Sequence, residues 1–183
     1  TKSMKKVKYM KIIQLSVLLY LFFIGAQNIF AQSNESLTPE KWREDLQFLA
    51  TELPKRHKNL FHKLKREDFE KAVKDLDTKI PTMTSNRIAL EFARIVAMVR
   101  DGHTSMIPLI EPSLKFRAFP VKIYLFKEGF FVQSASAEYA NIVGGKITKI
   151  GNTPIEKAFE MVSPYIPKDN EMGAKNFAPM YLV

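Results

Sequence analysis

Cysteine is absent from the 183 residues. That excludes disulfide staples, and it also excludes a lipoprotein, because lipid attachment to an exported bacterial protein needs a Cys at the cleavage site. Histidine is nearly as scarce, with only His57, His62 and His103 in the chain. The first two lie among Lys55, Arg56, Lys58, Lys63 and Lys65. Neighbouring cations make a poor metal site and nothing at ligand spacing supplies a third donor, so both read as surface histidines and no metal is expected. Acidic residues are missing before position 32, where five basic residues fall. With those five set aside, 23 of the 28 Lys and Arg remain against 19 Asp and Glu, and the formal charge falls from +9 to +4. The remaining charges are interspersed, with no basic stripe carrying interleaved aromatics, which argues against nucleic-acid binding. No internal repeat or low-complexity tract is present.

The first thirty residues do carry a pattern. Lys5, Lys6, Lys8 and Lys11 precede an apolar run, 12–26, broken by Gln14 and Ser16. A basic segment followed by such a run is the layout of a secretory signal. The run is about 15 residues, short of the roughly 20 that cross a bilayer core. It is cationic only on its leading side, so a retained anchor fits less well than a signal peptide, 1–31, cleaved after about Ala31. Thr1, Lys2 and Ser3 then lie upstream of a starting Met4. The mature protein is expected to be periplasmic or extracellular, with no stable membrane anchor. At the other end, 177–183 is apolar without a polar tail, so the chain is expected to be a fragment that continues past Val183.

The fold class expected for the mature part is α+β: a helical N-terminal domain, 38–102, followed by a β-rich region, 103–183. Thr38-Pro39-Glu40 is a helix start, with Thr as N-cap and Pro in the first position, and Trp42, Leu46, Leu49 and Leu53 follow at helical spacing. A second apolar face is Phe69, Val73, Leu76 and Ile80, closed by Pro81. A third is Ile88, Phe92, Ile95 and Val99, with Gly102 at the expected left-handed C-cap. The period then changes. Phe119, Val121, Ile123 and Leu125 alternate as in a strand, and Lys127-Glu128-Gly129 turns the chain into Phe130, Phe131 and Val132. A further strand, 146–150, a Gly151-Asn152 turn and a helix over about 155–163 complete the pattern.

Asp101-Gly102-His103-Thr104-Ser105 is the one short segment that combines residue types for a site. A His has an ordinary pKa near 6.5, so His103 could take a nucleophile's proton and return it to a leaving group, with Asp101 or a nearby hydroxyl orienting its ring. The competing reading is structural, since Asp-Gly at a helix end is ordinary capping chemistry. Ser134 and Ser136 follow a strand without a glycine-rich turn to present them, so they read as loop residues.

These segments resemble a known family. The run from Trp42 to Leu49, then His57-Lys58-Asn59-Leu60-Phe61, then 69–80, then 95–100 with Asp101-Gly102-His103-Thr104, is similar to the N-terminal region of exported S41-family serine peptidases. These are relatives of the carboxyl-terminal processing proteases and the tricorn core. The stretch 147–155 resembles the late strand and turn of the PDZ-like domain that such peptidases carry, and Lys168-Asp169-Asn170-Glu171 resembles a segment just after it. The resemblance spans 40–172. It implies hydrolysis of peptide bonds in a peptide or protein substrate, with a PDZ-like region that recognises peptide and with no cofactor. It also implies a catalytic His103 if the tricorn-like branch applies, because in the Ser-Lys branch no such His is needed. Two departures stand out: Arg100 occupies a position where many relatives have Gly, and no counterpart of the nucleophilic Ser precedes Val183. The alternative is a secreted, non-catalytic module that binds a peptide or partner.

Overall fold

The computed structural model describes residues 37–183, so the signal peptide expected over 1–31 lies outside the described part. Helix α1 (Pro39–Arg56) begins where the Thr38 hydroxyl accepts a hydrogen bond from the Lys41 N–H, with Pro39 and Glu40 in the first turn. It continues through Pro54, past the expected last apolar residue Leu53. Helices α2 (Arg66–Lys79) and α3 (Ser85–Ala97) come next. Their apolar faces close on one core: Trp42 and Leu46 from α1, Phe69, Val73 and Leu76 from α2, and Ile88, Phe92 and Ile95 from α3. Trp42 and Phe92 meet edge to face, ring centres 5.6 Å apart, and the indole N–H reaches the Ser85 hydroxyl at 3.4 Å.

Strands β1 (Val121–Phe126) and β2 (Gly129–Ala135) form an antiparallel hairpin in which Phe126 pairs with Gly129. Gly129 stands at φ 124°, a conformation that a Cβ would strain. A register shift between Lys122 and Ile123 marks a bulge. Ser134 belongs to β2 and pairs with Lys122, which corrects its reading as a loop residue; the strand's alternation is obscured there because both faces are polar. The other edge of β2 is bonded to 144–147, with Val132 N–H to the Gly145 carbonyl at 3.0 Å and Ile147 N–H to the Phe130 carbonyl at 2.8 Å. The strand expected over 146–150 shrinks to β3 (Lys149–Ile150), which pairs with β4 (Thr153–Pro154) and leads into α4 (Ile155–Val162).

One helix lies outside the expected pattern. Helix α5 (Glu171–Leu182) is capped by Asn170, whose side chain accepts from the Gly173 N–H at 2.9 Å, and it buries Ala174, Ala178 and Leu182. Gly173 and Pro179 interrupt the helical pattern in the sequence, yet packing against β1 sustains the helix. Part of the apolar stretch at 177–183 is thus buried by the chain itself. The second core gathers Ile123, Phe130, Ile155, Ala158, Ile166, Ala178 and Leu182. The described residues are therefore α+β, with several helices and two small antiparallel sheets, and they belong to one compact unit. Helix α3 holds the halves together. Besides its first-core face it buries Ala93, Val96 and Ala97, and it packs against 108–110 and 163–165. Among the described residues no helix is long and apolar enough to cross a membrane.

Leu46 is 0 % exposed and Phe48, two residues on, is 63 % exposed. Truncating a buried Leu removes transfer energy and leaves a cavity, so Leu46→Ala should cost about 2–5 kcal/mol in urea unfolding, whereas Phe48→Ala should change the midpoint little.

Candidate functional site

The site grows from the end of α3. The last turn tightens, with Val99 N–H bonded to the Val96 carbonyl and Arg100 N–H to the Ala97 carbonyl, and the chain then reverses through Arg100 at φ 56°. The left-handed residue is Arg100 and not Gly102, which corrects the expected C-cap. Val99, fully buried, fixes the register of the turn, so the reversal falls on the next residue whatever its type. For a non-glycine residue this conformation costs about 1–2 kcal/mol.

Asp101 is the hub of the loop beyond that reversal. Its Oδ1 accepts from the His103 backbone N–H at 2.9 Å, and its Oδ2 accepts from the Thr104 hydroxyl at 3.1 Å and from His57 Nε2 at 3.0 Å. The Thr104 N–H also closes on the Asp101 carbonyl at 3.1 Å. These side-chain contacts all favour the carboxylate. The His103 amide first, then the His57 ring, hold the Asp101 carboxyl at about 2, below its ordinary 3.8.

His57 is not a surface histidine. Only 13 % of its side chain is exposed, and it sits at the C-cap of α1 with its own N–H on the Leu53 carbonyl. Its Nδ1 accepts from the Asn59 N–H at 3.1 Å. A backbone amide can only donate, so Nδ1 is unprotonated and Nε2 carries the proton given to Asp101. The five cations around His57 in the sequence are exposed; its partner lies 44 residues away, a separation that local spacing cannot reveal. His62 stays exposed, bonded to the Asn59 carbonyl.

Asp101 does not orient the His103 ring. His103 Nδ1 lies 3.6 Å from Asp101 Oδ1, beyond a hydrogen bond. The His103 side chain is 96 % exposed. The loop thus has a tied backbone and a free imidazole. Two further residues to which sequence reasoning gives no role reach the same loop: the Gly102 N–H donates to Asp169 Oδ1 at 3.1 Å, and Lys63 Nζ donates to the backbone carbonyls of Arg100 and Asp169 at 3.4 and 3.2 Å.

Chemically, the loop can present a proton acceptor, the exposed His103 ring. Among the described residues a Ser-Lys pair does occur, with Lys168 Nζ donating to the Ser163 hydroxyl at 3.3 Å, but the same ammonium faces Glu171 at 3.4 Å. A cation that donates to Oγ does not remove its proton. Among the described residues no group of three His, Cys, Asp or Glu side chains could hold a metal ion. No family model matches the chain, and no curated protein matches it.

Since the Asp101 carboxyl titrates lower in the folded state than at its ordinary value, its contribution to stability is complete above about pH 4 and is lost as the pH falls toward 2. The contribution is at most about 2 kcal/mol, reduced by screening because 27 % of the side chain is exposed. Urea midpoints of wild type and Asp101→Asn should therefore differ most above pH 4 and converge near pH 2. A gap that does not change across that range would rule out the carboxylate as the stabilising group.

Proposed function

We propose that 37–183 are the N-terminal, non-catalytic part of an exported S41-like serine peptidase, in which a PDZ-like region recognises peptide and His103 is offered to a nucleophilic Ser lying beyond Val183. The observation that carries this reading is the pairing of a backbone tied by Asp101 with a His103 ring left 96 % exposed. Capping alone requires only the Asp101 bonds and leaves the imidazole without a task.

The proposed chemistry is hydrolysis through an acyl-enzyme. The Ser oxygen attacks the amide carbon while its proton passes to the His103 ring, and the resulting imidazolium protonates the departing amine as the C–N bond breaks. Water then attacks the acyl group, gives its proton to His103, and releases the acid as the Ser oxygen recovers that proton. Backbone N–H groups of the later domain hold the oxyanion. The peptide-recognition role draws support from an apolar cavity of about 390 Å³ bordered by Phe119, Val121, Ile123, Ile142, Ile150 and Leu182. Beside it, β1 pairs with a strand on only one side among the described residues. An extended peptide could add to the other side and place an apolar side chain in the cavity. The cavity alone equally suits the second reading, a secreted peptide- or partner-binding module without hydrolysis.

The test is kcat against pH for the complete protein and for His103→Asn, with folded content followed in parallel. The substitution keeps a hydrogen-bonding side chain and removes the base, so kcat should fall about 10²- to 10⁴-fold while folding survives. Wild-type kcat with an unchanged acidic limb would exclude the role for His103.

A further inference from the structure

We infer that Asp169 is a positioning residue for the His103 loop, anchoring it at Gly102. Three observations converge. The Gly102 N–H donates to Asp169 Oδ1 at 3.1 Å. A Cβ added at Gly102 would stand 2.7 Å from Asp169 Oδ2 and 3.5 Å from its Cγ, so the carboxylate lies over the space that only glycine leaves open. Lys63 Nζ binds the backbone carbonyls of Arg100 and Asp169 together, a second link between the same two segments.

Asp169 can serve as an anchor because its own backbone is held on both sides. Ile166 and Pro167 before it are buried, and Asn170 after it caps α5 through the Gly173 N–H. Gly102 does not adopt a left-handed φ, so glycine at this position answers to the proximity of Asp169 and not to backbone conformation. Asp101 bonded to His57 and Gly102 bonded to Asp169 fix two successive residues. The third, His103, is then presented with little freedom in its backbone. The purpose given to that fixation rests on the proposed role of His103; the anchor itself does not.

The experiment is amide hydrogen exchange at position 102 in the full chain, normalised to intrinsic rates, for wild type, Asp169→Ala, Asp169→Asn, Gly102→Ala and the double Ala variant. Asp169→Ala removes the acceptor, and Gly102→Ala displaces it by the Cβ contact. Each should speed exchange at position 102 about tenfold or more, and the double variant should go no further than either single one, because both remove the same bond. Asp169→Asn keeps an acceptor oxygen and should retain most of the protection. Amides within α3, such as that of Phe92, should keep their rates, whereas a residue that merely stabilised the fold would speed exchange there too. Unchanged protection in Asp169→Ala, or losses that add in the double variant, would overturn the inference. In the complete protein Asp169→Ala should lower kcat about tenfold with KM unchanged. A wild type without peptidase activity would sink the functional reading and leave the exchange result to decide the anchor.

Discussion

The Asp101 carboxylate stands where the end of α3 meets the end of α1. It takes hydrogen bonds from its own loop, through the His103 amide and the Thr104 hydroxyl, and from the C-cap of α1, through the His57 ring. Charge-assisted bonds are about twice as strong as neutral ones, and here three of them end on one side chain. Without that carboxylate, the reversal through Arg100 would keep its turn bonds, the Lys63 contact to the Arg100 carbonyl and the Gly102 bond to Asp169, but lose all three of these side-chain bonds. The loop would also lose its link to the C-cap of α1.

The wider fold gives that point its position. Helix α3 contributes to the first core with Ile88, Phe92 and Ile95 while also packing against 163–165, next to the segment that carries Asp169. The loop after α3 therefore emerges where the helical half and the C-terminal half adjoin. Each half supplies partners to the loop, His57 and Lys63 from the first and Asp169 from the second. A side chain that leaves such a loop unbonded, as His103 does, is held in place without being used in holding the fold.

What can be read from the sequence is set by physical locality. The three helices are legible because Trp42, Phe69, Phe92 and their neighbours repeat at 3.6-residue spacing and bracket themselves with Thr38, Pro81 and the residues after Val99. The hairpin is legible because alternation and Gly129 coincide. Helix α5 is hidden by Gly173 and Pro179, since its stability comes from contact with β1 and not from its own pattern. The Asp101-Gly102-His103-Thr104 segment stands out as a site candidate, but its wiring does not. His57 and Asp169 lie 44 and 67 residues from their partners in the loop, separations that local spacing does not show. Spacing puts the left-handed φ at Gly102 where Arg100 takes it instead, because spacing locates a helix end only to within a residue or two.

The central claim is that Asp101 holds the His57 ring in one orientation and one tautomer, leaving His103 as the free imidazole of the pair. Long-range ¹H–¹⁵N correlation spectra of the histidine rings at neutral pH test it most directly. The expected spectrum shows His57 locked with its proton on Nε2 and an unprotonated Nδ1, while His103 gives the averaged signals of an exposed ring. A His57 ring protonated on Nδ1, or one exchanging freely between tautomers as His103 does, would contradict the claim.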